Sequence, residues 1–175
     1  GCDKFINQSL ELPIIKNETE QVLSQETAYQ MASILSGTVK RGTAKKLRSL
    51  NVPLAGKTGT TNDNYDAWFI GFSSNLVIGV YIGFDNPKSL GKKETGARTA
   101  MPVFKEFIKS SVKKKDARPF KVAENITMMV IDPKTGKKAS FSSKKTIIEV
   151  FKKKDLDQNN KNMILNNRVS NNKIL

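Results

Sequence analysis

Histidine is absent from the 175 residues, and cysteine occurs once, as Cys2. Without imidazole there is no Ser-His-Asp or Cys-His catalysis and no histidine metal ligation, and a lone thiol builds neither a metal cluster nor an internal disulfide. No metal and no cofactor is expected. Arginine is scarce too, with 25 Lys but only 5 Arg among the 30 basic residues. Bidentate recognition of phosphates and base edges favours the guanidinium fork, so the formal charge of +14 points to no specific nucleic-acid partner. Fifteen Asn accompany the lysines, a usage that AT-biased codons produce without selection for a basic surface. Long apolar runs are also missing. The longest, residues 76–84, has nine residues including two Gly, against the roughly 18 to 20 that cross a bilayer. The chain opens with Gly1 rather than Met, the expectation being a piece or a processed form of a longer protein, and with no apolar stretch ahead of Cys2 no lipidation is expected there.

What is present suits a folded domain: 38% of residues are apolar, close to globular usage. Charge divides the chain. Residues 1–112 carry 14 basic and 10 acidic side chains, whereas residues 113–175 carry 16 and 6, with Lys113-Lys114-Lys115 and Pro119 at the join. In the first part Ser24 can cap a helix whose apolar positions Ala28, Met31, Ala32 and Leu35 fall at i, i+3, i+4 and i+7, with Gly37 as its stop. That stripe reads as core-forming. Residues 53–61 read as a strand holding Gly56 and Gly59, and glycine inside a strand marks close approach by a ligand or another backbone. Residues 67–72 and 76–84, joined by Ser73-Ser74-Asn75, read as a hairpin whose continuous hydrophobicity implies cover on both faces. A helix follows from about Thr99, with Pro102 in its first turn and Met101, Phe104, Phe107, Ile108 and Val112 on one side. Helix, three strands and helix make part of an antiparallel sheet sandwiched by helices. Further on, residues 126–131 and 146–151 read as short strands around a turn at Asp132-Pro133-Lys134-Thr135-Gly136, and the last 18 residues, seven of them Asn, read as disordered.

Lys57-Thr58-Gly59-Thr60 carries the chemistry, since K-T-G is one signature of serine acyl-transferases of the penicillin-binding and β-lactamase type. Around it stand Gly42-Thr43-Ala44, Ala55-Gly56, Thr61-Asn62, Asp66-Ala67-Trp68-Phe69-Ile70-Gly71-Phe72, Val80-Tyr81-Ile82-Gly83-Phe84-Asp85-Asn86 and Gly96-Ala97-Arg98-Thr99-Ala100-Met101-Pro102. Together these resemble the end of the transpeptidase domain of class A penicillin-binding proteins, bifunctional murein synthases that also carry a glycosyltransferase. The resemblance covers about residues 24–112 and, more loosely, residues 130–136. It implies an α+β penicillin-binding and serine β-lactamase-like fold, in which three strands of a five-stranded antiparallel sheet flanked by helices lie here. Residues 1–23 would then be a linker or the remainder of an upstream domain, residues 113–157 a small β-type extension and residues 158–175 a tail.

Strand alternation puts the Thr58 and Thr60 hydroxyls on one face, able to bond a substrate carboxylate, while Gly59 leaves room for an extended peptide to pair alongside. Lys57 adds a fixed positive charge. The resemblance gives Lys57 and the backbone N–H of Thr60 catalytic roles, as network charge and oxyanion donor, and makes Thr58 and Gly59 substrate-binding. The implied partners are a D-Ala-D-Ala stem peptide, β-lactams and the upstream part of the same enzyme, at the periplasmic face of the inner membrane. The family also needs S-x-x-K, supplying the nucleophile, and S-x-N, both before K-T-G. The S-x-x-K matches at Ser89, Ser110, Ser111, Ser142 and Ser170 all follow Lys57, and of the S-x-N matches at Ser49, Ser73 and Ser170 only Ser49 precedes it. All eight read as coincidence, as does the second K-T-G at Lys134, inside a turn. Trp68, Tyr81 and the Phe residues read as core, and Asp66 and Asp85 as structural. The chain is expected to be the C-terminal part of a serine D,D-transpeptidase, inactive alone because its nucleophile lies elsewhere. The alternatives are a class A β-lactamase-like fragment, a non-catalytic basic envelope-binding module, or a decayed split-gene product.

Overall fold

The computed structural model describes residues 20–158. Residues 1–19 and 159–175 lie outside it, and with them Cys2, Ser170, most of the first linker and nearly all of the tail. Helix α1 spans Gln25–Lys40, and the Ser24 Oγ accepts the Thr27 N–H at 3.3 Å, as its cap position predicts. The helix does not stop at Gly37. It runs one turn further, closing with Arg41 N–H to the Gly37 carbonyl (2.9 Å) and Gly42 N–H to the Thr38 carbonyl (3.0 Å). A mid-helix glycine costs about 1 kcal/mol, and burial of Val39 in the core offsets it. Nor is the stripe of Ala28, Met31, Ala32 and Leu35 the buried one: Ala28 is exposed and Met31 is 46% exposed. The buried positions Ser36, Gly37 and Val39 all lie in the last turns, because α1 meets the main sheet only there.

Three strands form that sheet in the order β1-β2-β3, all antiparallel: β1 Ala55–Thr60, β2 Ala67–Phe72 and β3 Val77–Ile82. Pairing of Lys57 with Ile70 and Gly79, and of Gly59 with Trp68 and Tyr81, sets the two faces. One carries Ala67, Phe69, Val80 and Ile82, the other Trp68, Ile70, Val77 and Tyr81. The first is packed along its length by the described residues; the second is covered only where Ala55 pairs with Phe72, Ala55 being buried and Phe72 meeting Phe120 edge to face at 5.6 Å. Against the first lie the 3-10 turn Lys45–Leu50, which inserts Leu47 and Leu50, and helix α2, Met101–Ser111. Phe69 and Phe104 meet edge to face at 4.8 Å in the middle of this core. Cover on both faces, expected from the continuous apolar runs, is therefore found only at the end holding Ala55 and Phe72 within residues 20–158. Trp68 and Tyr81, expected in the core, sit on the open face at 40% and 50% exposure. Phe107 is also corrected: Met101, Phe104 and Ile108 are buried on α2, while Phe107 lies a turn-fraction round the helix and is half exposed.

Strands β4 (Ile126–Ile131) and β5 (Ile147–Lys152) pair antiparallel as a separate two-stranded sheet, followed by a short helix α3, Lys153–Gln158, that the sequence reading did not anticipate. Between the strands, Asp132 Oδ1 accepts the Lys134 N–H at 2.8 Å and Gly136 takes a φ of 68°, so the expected turn is there. The small sheet docks along α1, from its first turn to its C-cap. The Gln30 side chain donates to the Val150 carbonyl (3.2 Å), Lys152 Nζ donates to Thr27 Oγ1 (2.6 Å), and Arg41 pairs with Glu149.

Candidate active-site strand

Strand β1 is written Ala-Gly-Lys-Thr-Gly-Thr, a sequence with little strand propensity of its own. It is held from both sides. On one side it pairs with β2 along its whole length. On the other, the Thr38 hydroxyl of α1 lies 2.8 Å from the Gly56 carbonyl, and beyond that contact the edge is open among the described residues. Antiparallel pairing sends alternate backbone groups to opposite sides. Thr61 N–H donates to the Asp66 carbonyl across the ladder (3.2 Å), so Gly59 and Lys57 also point inward, and Gly56, Thr58 and Thr60 point outward. The outward carbonyl of Thr58 accepts Lys57 Nζ at 2.7 Å. The exposed Lys57 ammonium and the outward N–H groups of Thr58 and Thr60 thus share one open edge.

The Thr58 and Thr60 side chains share a face, as alternation requires, but it is the face packed by helices. The Thr60 Oγ1 accepts the Gly96 N–H at 3.0 Å, which leaves its hydroxyl hydrogen available to donate. Gly96 opens a π turn, Gly96–Ala100, leading into α2. A Cβ on it would stand 2.2 Å from the Trp68 carbonyl oxygen and 2.5 Å from that of Gly59. The turn is pressed onto the β1–β2 ladder, and only glycine permits this approach. Thr99 Oγ1 bonds Glu94 at 2.6 Å and steadies the turn. Gly96 is the positioning residue that sequence reasoning did not single out; its only signal was its place in the Gly-Ala-Arg-Thr-Ala-Met-Pro string, which says nothing of contact.

The connection after β1 is organised as tightly. Asp66 N–H donates to Thr61 Oγ1 (2.8 Å), and Tyr81 O–H donates to Asp66 Oδ1 (2.9 Å), with the Trp68 ring stacked at a tilt, 4.6 Å away. The bond to Asp66 raises the Tyr81 phenol above the ordinary tyrosine value, with burial and the charges of Asp66 and Asp85 adding to it. The folded state therefore holds this proton more tightly than the unfolded one. Its stabilisation is complete below the ordinary tyrosine pKa and is lost as pH rises through the raised value. Ultraviolet titration of the Tyr81 phenolate should show the elevated transition in the wild-type chain, moved back toward the ordinary value in Asp66→Ala. An unshifted transition in that variant would mean that Asp66 is not the cause.

A family model described as the penicillin-binding protein transpeptidase domain matches residues 4–109. The chain belongs to that family. Its relatives include penicillin-binding protein 1A of Rickettsia felis, 36% identical over 162 residues, 93% of this chain and 20% of that protein. The Pseudomonas aeruginosa penicillin-binding protein 1A is 38% identical over 137 residues, 78% of this chain and 17% of that protein. The crystal structure of penicillin-binding protein 1A from Haemophilus influenzae superposes with a TM-score of 0.67 at 30% identity, covering 75% of this chain and 21% of that one. The expected α+β architecture of antiparallel strands and helices is thus found, in a chain spanning about a fifth of the relatives it matches.

Within this penicillin-binding fold, the described serines of the S-x-x-K and S-x-N matches make local hydrogen bonds or end a helix. Ser89 Oγ donates to the Asp63 carbonyl (2.7 Å) and Ser110 Oγ to that of Phe107 (2.9 Å), while Ser142 bonds Ser140 (2.8 Å). Ser49 Oγ donates to the Lys46 carbonyl, and Ser73 Oγ to the Asn75 side chain, both at 3.0 Å. Ser111 ends α2, so Lys114 does not follow it along the helix. Lys134, in the second K-T-G, lies in the turn between β4 and β5 and not on a strand. Among the described residues no three His, Cys, Asp or Glu side chains cluster as metal ligands, and no helix is long and apolar enough to cross a membrane.

Proposed function

We propose that this chain forms one wall of the acyl-transfer cleft of a penicillin-binding D,D-transpeptidase that cross-links peptidoglycan stem peptides on the periplasmic side of the inner membrane. The observation that carries the reading is the open edge of β1, where the Lys57 ammonium and the outward N–H of Thr60 stand on the same side. A D-Ala-D-Ala terminus laid antiparallel to this edge brings its carboxylate to Lys57 and the Thr58 hydroxyl, and its scissile carbonyl to the Thr60 N–H. A serine outside this chain attacks that carbonyl. Its Oγ bonds the acyl carbon, the amide C–N bond breaks, and the terminal D-Ala leaves with a proton on its amine; an amine acceptor then takes the acyl group and releases the serine. Oxyanion donors of the Thr60 kind contribute about 3 to 4 kcal/mol each to such transition states. The chemistry calls for no metal and no redox cofactor. β-Lactams would occupy the same edge.

The chain alone is expected to form no penicillin adduct that survives denaturation. A chimera of the Pseudomonas aeruginosa penicillin-binding protein 1A, with its matched segment replaced by this chain, supplies the missing nucleophile and should be labelled stoichiometrically. Labelling of a serine in the isolated chain would show that a dismissed S-x-x-K is the real one. A folded chimera that takes no label would sink the acyl-transfer reading.

A further inference from the structure

Helix α1 carries a polar stripe as well as an apolar one. Tyr29, Ser33, Ser36 and Lys40 follow one another at intervals of four, three and four residues, which puts them on one face of the helix. That face lines a cavity of about 470 Å³, walled opposite by residues 52–54, which lead into β1, and by Pro119 and Phe120 from the segment between α2 and β4. Ser36 is its most informative residue. It is only 7% exposed, and its hydroxyl has no hydrogen-bond partner among the described residues. No side-chain oxygen or nitrogen among those residues is sealed off without a partner, so the Ser36 hydroxyl keeps some surface, and the cavity is the space it faces. A buried hydroxyl is costly to leave unbonded, so its partner has to come from that space.

The charges say what kind of partner fits. Lys40 and Arg48 both line the cavity, neither has an ion-pair partner among the described residues, and no carboxylate lies along its walls. Two cations and the hydroxyls of Tyr29, Ser33 and Ser36 can all donate. That set matches the double charge and the three terminal oxygens of a phosphate monoester better than the single charge of a carboxylate. The remaining wall is apolar, with Val52, Leu54 and the Phe120 ring, which meets Phe72 edge to face at 5.6 Å. A flat or aliphatic body packs there, and the volume is that of a small-molecule site. We infer that this cavity binds a small organic phosphate, its dianionic head between Lys40, Arg48 and the Ser36 hydroxyl and its apolar body against Leu54 and Phe120. The site is separate from the acyl-transfer edge, since none of residues 55–60 lines it. It is nevertheless tied to that strand: Leu54, 2% exposed, directly precedes β1, and the Thr38 hydroxyl of α1 lies 2.8 Å from the Gly56 carbonyl. An occupied cavity clamps α1 to the root of β1 and stabilises the fold.

The test titrates phenyl phosphate, inorganic phosphate, benzoate and benzyl alcohol into the full chain, and into the penicillin-binding protein 1A chimera so that the cavity is also probed inside a complete domain. Calorimetry gives the affinities, and the amide shifts of Ser33 and Ser36 place the ligand. Phenyl phosphate should bind about tenfold tighter than inorganic phosphate or benzoate, with benzyl alcohol weakest, and should raise Tm. Its affinity should fall about tenfold in Lys40→Gln/Arg48→Gln and about fivefold in Ser36→Ala, a change that spares the fold because the lost hydroxyl holds nothing in the chain. Lys134→Gln/Lys137→Gln removes the same charge far along the sequence, outside the cavity, and should leave the affinity unchanged. Inorganic phosphate binding as tightly as phenyl phosphate would reduce the site to an adventitious ion only, and equal binding of benzoate would overturn the dianion. An equal loss in the Lys134→Gln/Lys137→Gln control would reduce it to net charge. A chimera that penicillin labels and phenyl phosphate does not bind removes the site and leaves the acyl-transfer reading standing.

Discussion

Replacing Gly96 with Ala is expected to destabilise the chain by about 2 to 3 kcal/mol, the cost of overpacking against atoms that cannot turn away. The new methyl group would stand 2.2 Å from the Trp68 carbonyl oxygen and 2.5 Å from the Gly59 carbonyl oxygen, and both belong to the β1–β2 ladder. No rotamer relieves the clash, because neither neighbour is the end of a side chain. The π turn must lift off the sheet, and it loses the 3.0 Å bond from Gly96 N–H to Thr60 Oγ1 as it does so. Gly79→Ala is the matched control: there the methyl would meet only Ile70 Cγ1, at 4.0 Å, on the open face of the sheet. That variant should be neutral or slightly stabilising, since alanine narrows the unfolded ensemble. Urea unfolding of both variants, with amide shifts of residues 57–61 as the local readout, decides the matter. Equal stability of the two would show that the turn yields at no cost and does not position the strand.

Strand alternation explains how much of this was legible in the sequence. The apolar runs of β2 and β3 announce strands through their density of β-branched and aromatic residues, and Phe69 and Phe104 announce themselves as core. Which face is covered is a different matter, since Trp68 and Phe69 are equally apolar and only the elements packed on the sheet separate them. The same holds on α1. Its stripe of Ala28, Met31, Ala32 and Leu35 has helical period, yet the buried turn is chosen by where β1 and the small sheet touch the helix. Gly37 carries the composition of a stop signal but lacks the positive φ that makes a glycine one. Conversely, β1 was legible through chemistry and not propensity: two glycines, an alanine and a lysine in six residues make a poor strand, and K-T-G placed it.

The site shows the same division. Lys57, Thr58, Gly59 and Thr60 were legible as residue types, and their shared edge follows from pairing with β2. Tertiary partners were not. Thr38, Gly96 and the Asp66–Tyr81 pair lie 18 to 36 residues or one hairpin away from the atoms they hold, and no local periodicity encodes those contacts.

Because only one of the two K-T-G sequences lies on an open strand, Lys57→Ala and Lys134→Ala should part company in the penicillin-labelled chimera. Lys57→Ala is expected to lower the second-order rate of acylation by at least about tenfold, or 1.4 kcal/mol, with the fold retained. The fold is safe because Lys57 is exposed and, among the described residues, its ammonium bonds the neighbouring carbonyl of Thr58. The loss follows from charge: the ammonium sits on the edge that also carries the Thr60 N–H, where the carboxylate of the residue after the reacting carbonyl would lie. Salt should weaken the wild type more than Lys57→Ala, since a surface charge pair is screened over about 10 Å at 0.1 M. Lys134 sits in a turn outside the matched transpeptidase segment, so its loss should leave the rate within experimental error of wild type. Acylation kinetics with a fluorescent penicillin at two salt concentrations give all three comparisons. Equal losses from both variants would mean that overall positive charge, and not the geometry of β1, governs the reaction; no loss from Lys57→Ala would remove the lysine from the cleft altogether.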